Sequence, residues 1–428
     1  MKKNDSTAPL SLPVFRQISA IAARQDVPAF VVGGYVRDFY LGRPSTDIDV
    51  VVVGSGIGLA EELGRELRTK VSVYKTFGTA ALRTKGVEVE FVGARKESYV
   101  RDSRKPQVEA GTLEDDQRRR DFTINAMAWS LAEEDFGRLV DPFDGMRDLH
   151  EGIIRTPCDP DVTFSDDPLR MMRAVRFASQ LNFRLFPETF EAIVRNRERI
   201  GIVSRERIAV ELNKIVLSPV PSVGFDLLER TGLLELIFPE MQRLKGVERR
   251  GQHAHKDNFY HTLKVLDNVA AVSDDLWLRW AAILHDIGKP ATRRFEGSKV
   301  TFHHHDVVGA KLIKKRLREL TYPAAVVKSV AKLTELHLRF HGYSDGEWSD
   351  AEGVNAGEGI YTATFTAQWK ESVNAAGLTV HTPVAGTGVF AGNSYEARAA
   401  LDGETVSSAE FQAAAGQVIP DGDMESGS

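Results

Sequence analysis

The stretch "DIDVVVVG", residues 47–54, constrains the fold more than any other part of the chain. Its run of valines reads as a buried strand, yet it opens with two aspartates flanking Ile48. In a strand, residues two apart share a face, so Asp47 and Asp49 point one way while Ile48 points into the core. Adjacent carboxylates repel, and a hard divalent cation is the usual remedy. Mg²⁺ is bound through one or two carboxylates plus substrate phosphates, so the pair points to a nucleoside triphosphate site. Just upstream, "VVGGYVRDFYLG" reads as a strand, a glycine turn and a helix. Gly33 and Gly34 then let backbone N–H groups approach phosphates, with Arg37 on the following helix placed to pair with them.

At 428 residues the chain is too long for one ordinary core. "FRQISAIAARQ" and "IGLAEELGRELRTK" have helical spacing, and "VSVYKTFGTAALRTKGVEVEFVGAR" reads as a strand pair turning near Lys85 and Gly86. From "DDPLRMMRAVRFASQL" to about Leu336, nearly every segment has helical periodicity. The expected organisation is therefore an α/β head over residues 1–155, a helical neck over 156–235, a helical body over 236–345 and an atypical tail over 346–428. That tail is rich in Gly, Ala and Thr and shows no helical stripe. Two readings of it stay open, a small β-rich appendage or a poorly ordered segment.

No window approaches the ~18 apolar residues of a membrane span. "MKKNDSTAPLSLPVF" has polar residues where a signal peptide carries its apolar run, and the one cysteine, Cys158, excludes an internal disulfide framework. These features lead us to expect a cytoplasmic protein with no membrane partner. The net charge of −5 is uneven: residues 350–428 hold two basic and eleven acidic residues, leaving 53 basic against 49 acidic before them. The mildly basic part permits contact with nucleic acid through local patches.

Three ordered motifs, "GGYVRDFYLGRPSTDIDVVVV", "RRDFTINAMA" and "DDPLRMMRAVRFASQLNF", resemble those of class II tRNA nucleotidyltransferases. This family comprises the CCA-adding enzymes and bacterial poly(A) polymerases, within the polymerase-beta superfamily. The resemblance covers roughly residues 25–345 and implies an α+β architecture. A polymerase-beta-type head with a small mixed sheet would precede an all-helical neck and body. By the same resemblance, Asp47 and Asp49 would hold two Mg²⁺ ions, and Glu90 on "VEVEF" would be a third carboxylate or an exposed strand-face residue. Arg119 and Arg120 would meet phosphates or ribose, and Asp121 and Asn125 would shape the site and the sugar contact.

Asp167, Arg170, Arg173 and Arg176 recur every three residues, which on a helix forms one slowly turning ridge. The resemblance makes that ridge a protein template for the incoming base. Asp167 accepts from the amine of cytosine or adenine and Arg170 donates to the neighbouring ring acceptor, while uracil and guanine present a carbonyl instead. Arg173 and Arg176 would support the template or bind phosphate. Where the family usually has Glu-Asp, this chain has Asp166-Asp167. "ESYVRDSRKPQVEAGTLEDDQ" resembles the family's flexible loop, and a plain surface loop would look the same.

Further on, "NFYHTLKVLDNV", "ILHDIGKP" and "FHHHDVVGAK" resemble the HD phosphohydrolase superfamily, in which His and Asp hold divalent metal that activates water against a phosphoester. His261, His285 and Asp286 are the ligands this implies, with His305 or Asp306 as a further candidate. The implied function is addition of C and A from CTP and ATP to the tRNA 3′ end. A poly(A) polymerase, a CC-only or A-only enzyme, an HD phosphohydrolase and a non-catalytic RNA-binding protein are its rivals.

Overall fold

The computed structural model describes residues 10–98, 107–246, 249–250, 253–254, 257–296 and 299–338, together with strand segments 369–373, 379–383, 394–401 and 404–412. The head begins with α1 (Pro13–Gln25), β1 (Ala29–Val32), α2 (Gly34–Tyr40), β2 (Asp47–Val52) and α3 (Gly56–Leu67). It continues through β3 (Val71–Tyr74), β4 (Thr79–Thr84), β5 (Val87–Gly93), β6 (Arg95–Ser98), β7 (Gln107–Ala110), α4 (Leu113–Arg118), β8 (Ala128–Ser130), β9 (Leu139–Val140) and α5 (Gly145–Glu151). Seven strands form one mixed sheet in the order β3-β4-β5-β2-β1-β8-β9. Only β2 and β5 pair in parallel; the other neighbours are antiparallel.

Alternation along the strands divides this sheet into two faces. Val31, Ile48, Val50, Val52, Val89 and Phe91 join Phe15, Ile18, Leu59 and Leu63 in the main core, where α1 and α3 cover the sheet. Burying each such side chain stabilises the head by about 1.5–3 kcal/mol. On the other face Val32, Val51, Ala94 and Ala128 form a small separate cluster. Asp47 and Asp49 share the face of Val51, so the strand hides its isoleucine and offers its carboxylates, as its sequence leads one to expect. The expected strand pair is instead a three-stranded meander. A 3-10 turn at Lys75–Phe77 ends in Gly78, whose φ of 64° supplies the left-handed residue that reverses the chain between β3 and β4.

The neck comprises α6 (Pro160–Asp166), α7 (Leu169–Leu181), α8 (Pro187–Asn196), α9 (Arg205–Val216), α10 (Pro221–Arg230), α11 (Leu233–Ile237) and α12 (Pro239–Gln242). Here the structure corrects the single ridge expected from Asp167 to Arg176. Asp167 lies outside the helix, in extended conformation at φ −134° and ψ 98°. Pro168 is the cause, because its ring disfavours helical geometry in the residue before it, so α6 stops and α7 starts afresh.

The body contains α13 (Asn258–Ala270), α14 (Leu276–Leu284), α15 (Lys289–Thr292), α16 (His305–Glu319) and α17 (Ala324–Leu336). Its tie to the neck is polar as well as apolar. Asn213 Oδ1 on α9 accepts from Trp280 Nε1 and from the Tyr322 hydroxyl, both at 2.8 Å. Arg279, 2% exposed, donates to the carbonyls of Val216, Ser218, Ala270 and Ser273, where α9 and α13 end. Residues 1–334 form one compact unit and 335–428 a second. In the second, segments 369–373 and 379–383 pair antiparallel, as do 394–401 and 404–412. The rest of the tail lies outside the described residues. Among the described residues no helix is long and apolar enough to cross a membrane.

Candidate active site

The parallel register of β2 and β5 sets Asp47 beside Glu88 and Asp49 beside Glu90. Asp47 and Glu90 are exposed and Asp49 is half-buried. Burial, offset in part by Arg120 and reinforced by Asp47 and Asp116, holds the Asp49 carboxyl above the usual aspartate range. Burial and the charges of Asp49 and Glu88 raise Glu90 likewise. Asp47, Asp49 and Glu90 thus share one face of the sheet, while Glu88 beside them is taken by Arg83 at 2.7 Å. An excess of hard oxygen donors of this kind fits a divalent cation.

Gly33 closes one side of this pocket. Its φ is 76°, and a Cβ there would lie 3.0 Å from Arg120 Nη1 and 3.5 Å from Asp49 Oδ2. Its N–H donates to the Met127 carbonyl at 3.2 Å, so the glycine itself contributes space and a turn beside the pocket. Gly34 begins α2, where N–H groups have no partner within the helix.

Arg37 is buried and forked onto Asp38 at 2.8 and 2.9 Å, and it also donates to Asn125 Oδ1 at 2.7 Å. Asn125 donates to Asp121 Oδ1 at 3.0 Å, and Arg173 Nε donates to Asp121 Oδ2 at 2.7 Å. The result is a continuous polar chain from α2 through the Asp121 loop to α7. Burial alone would raise Asp121, but Arg173 and Asn125 outweigh it and hold the carboxyl below its ordinary value.

Arg119 and Arg120 both fasten to Asp116, with each Nε 3.0 Å from one of its oxygens. Asp116 is fully buried on α4 and its part in the site was missed by the sequence reading, which left "TLEDDQ" in a loop. The signal was there: Thr112 and Asp115 form a capping box that starts α4, and Asp116 precedes the two arginines by three and four residues. Residues 99–106 of that expected flexible loop lie outside the described residues.

The base-reading candidates meet this loop directly. Arg170 Nη2 donates to the Arg119 carbonyl at 2.6 Å. Asp167 Oδ1 accepts from the Leu169 N–H, and its Oδ2 accepts from Arg207 on α9, each at 3.2 Å. Arg207 gave no sign of itself in the sequence, since it lies forty residues downstream of its partner. Arg176 turns elsewhere, buried against Glu211 of α9 at 3.3 Å and over the Phe177 ring at 4.2 Å. Burial pulls its guanidinium down to about 10.

A second cluster lies in the body. Ligand atoms of His261, His285 and Asp286 fall within 4.8 Å of one another, and His305 Nε2 lies 3.3 Å from Asp286 Oδ1. His285 Nδ1 faces the Ala282 carbonyl and His305 Nδ1 the Phe302 carbonyl, each at 2.8 Å. Assigning each Nδ1 as the donor leaves Nε2 as an unprotonated ligand, the tautomer a metal takes. Of the two further candidates, it is His305 rather than Asp306 that reaches Asp286. Lys289, also missed, donates to Asp286 Oδ2 at 2.7 Å. Burial alone would raise Asp286, but in the metal-free site its contacts with His285, His305 and Lys289 prevail and lower it.

Close packing builds this cluster. A Cβ on Gly288 would stand 2.1 Å from the His305 carbonyl and 2.7 Å from the Gly309 nitrogen. Gly288→Ala is therefore expected to push α16 away, costing about 1–3 kcal/mol in urea unfolding and weakening divalent-metal uptake at the cluster. Unchanged stability and uptake would show that the contact yields without cost.

Residues 29–155 match the family model of the poly A polymerase head domain, 182–244 that of the probable RNA and SrmB-binding site of polymerase A, and 258–360 that of the HD domain. A multifunctional CCA protein of Nitrosococcus oceani is 37% identical over 73% of this chain and 75% of its own. An A-adding tRNA nucleotidyltransferase of Aquifex aeolicus is 43% identical over 44% of this chain, a span that is 23% of its own length. Among solved structures, a tRNA-processing enzyme in an apo form aligns at TM-score 0.60 and 27% identity, covering 82% of this chain and 84% of the other. A tRNA nucleotidyltransferase complexed with a primer tRNA and an incoming ATP analog aligns at 0.55 and 29%, covering 79% and 87%.

Proposed function

The chain belongs to the class II tRNA nucleotidyltransferase family and carries an HD domain, and from that premise we propose that it adds C and then A to the 3′ end of tRNA, using CTP and ATP and releasing pyrophosphate. The observation that carries this reading is the 2.6 Å bond from Arg170 to the Arg119 carbonyl. It joins the groups able to read a base to the loop that carries Arg120, which offsets part of the Asp49 charge. One pocket then holds base, phosphates and reacting hydroxyl. Similar proteins of known structure, bound to CTP or to a primer tRNA with an ATP analog, support the same substrates.

In the proposed reaction the primer 3′-hydroxyl attacks the α-phosphorus of the nucleotide, and the bond to pyrophosphate breaks in line. Asp47 and Asp49, with Glu90 beside them, would hold the two Mg²⁺ ions, which when bound neutralise the triphosphate and favour the attacking alkoxide. Arg120, held by Asp116 and the Asn125 carbonyl, is near enough to Asp49 to offset part of its charge and would meet the phosphates. Asn125, fixed between Arg37 and Asp121, is placed to meet the sugar. Asp167 accepts from the exocyclic amine of cytosine or adenine, and Arg170 donates to the adjoining ring acceptor. A carbonyl in the amine's place leaves carboxylate facing oxygen, which costs roughly 1–3 kcal/mol per base contact.

Incorporation of labelled CTP and ATP, separately and together, into tRNA lacking its last three nucleotides tests the proposal. Growth by three residues, lost in Asp47→Ala, is the expected result. Growth only from a primer ending in CC would make the chain an A-adding enzyme, as some relatives are named. Unlimited A addition would make it a poly(A) polymerase. At the HD cluster, His261, His285, Asp286 and His305 would hold a further divalent cation for phosphoester hydrolysis. That second activity should survive Asp49→Ala and vanish in Asp286→Ala.

A further inference from the structure

Asp167 is held from two sides. The N–H of Leu169, at the start of α7, reaches Oδ1, and Arg207, in the first turn of α9, reaches Oδ2. A carboxylate selects the edge it presents by turning about a single soft torsion. One contact at each oxygen fixes that plane, and the free lone pairs then have one direction. Arg170 is fixed in a similar way, by the carbonyls of Arg119 and Thr163.

The contact with Arg207 contributes little to stability. The two side chains are 27% and 47% exposed, and ion pairs as open as this one are weak. Nor does the core need Arg207, whose helix is anchored by buried Ile208, Leu212 and Ile215. What the guanidinium does control is where the Asp167 oxygens point.

We propose that Arg207 is a positioning residue for base selection: it holds the Asp167 carboxylate in the plane that accepts an exocyclic amine and faces a carbonyl with unfavourable charge. This rests on the reading of Asp167 as a base-facing group. Without Arg207 the carboxylate turns and the site loses its preference for amine over carbonyl. Lysine restores charge but not the planar fork, so it should recover only part of the preference.

The test compares wild type, Arg207→Ala and Arg207→Lys in kcat/KM for CTP, ATP, UTP and GTP, alongside equilibrium binding of non-hydrolysable CTP and UTP analogues. In Arg207→Ala, kcat/KM for CTP and ATP should fall about tenfold, mainly through KM, with UTP and GTP little changed and Tm within about 2 °C of wild type. In an Asp167→Ala background, Arg207→Ala should cause no further loss of selectivity. Equal loss for all four nucleotides, or undiminished discrimination in Arg207→Ala, overturns the proposal. Failure of the wild type to prefer CTP over UTP would instead overturn the reading of Asp167 itself, so the two failures are distinguishable.

Discussion

Asp49→Asn should lower nucleotidyl transfer by roughly a thousandfold while making the metal-free protein more stable at pH 7. The loss of activity follows from removing a central oxygen donor of the acid cluster. Several kcal/mol of charge stabilisation disappear, at 1.36 kcal/mol for each factor of ten in rate. The gain in stability follows from the same burial. A carboxyl raised in the folded state binds its proton more tightly there than in the unfolded chain. The metal-free fold therefore loses stability as pH climbs from the ordinary aspartate range through the raised value. Asparagine cannot ionise and escapes this loss. Melting wild type and variant in EDTA from pH 4 to 8 should show the variant ahead at high pH and the gap closing as pH falls. A variant less stable than wild type at pH 7, or a gap independent of pH, would refute this account of the pocket.

Arg279→Met should be the most damaging single change in the body, costing about 3–5 kcal/mol. Methionine fills a similar volume but donates nothing. The carbonyls of Val216, Ser218, Ala270 and Ser273 would lose their donor together. Helix-end carbonyls have no partner within their own helix, and buried acceptors left unpaired carry the full desolvation cost. The ion pair with Asp274 adds little, because that carboxylate is fully exposed. Thermal unfolding should shift down by roughly 5–10 °C, with kcat near normal at 20 °C in the surviving fold. An unaltered Tm would mean that water replaces the guanidinium at these carbonyls.

Much of this was legible in the residues because the signals were local. The two-residue period of "DIDVVVV" gave both faces of β2, and the histidine-aspartate pair before Ile287 and Gly288 pointed to the cluster at Asp286. Errors arose where one residue overrode a period. Pro168 broke an apparent ridge of four side chains, and Gly78 turned a strand pair into a meander. Asp116 escaped notice because its neighbours were read as loop. Arg207 escaped for a different reason: a contact across forty residues leaves no trace in spacing.

The single parallel pairing of the seven-stranded sheet has one further consequence. Asp49 and Glu90 are neighbours across the sheet although about forty residues separate them, with α3, β3 and β4 between. In the unfolded chain they do not meet, so the complete acid cluster comes into existence only when this crossover is closed. Any cation that prefers the complete cluster acts as a ligand of the native state alone and shifts the folding equilibrium by mass action. The ion that would serve the reaction would then also act as a clasp on the sheet, linking metal availability to how much of the protein is folded.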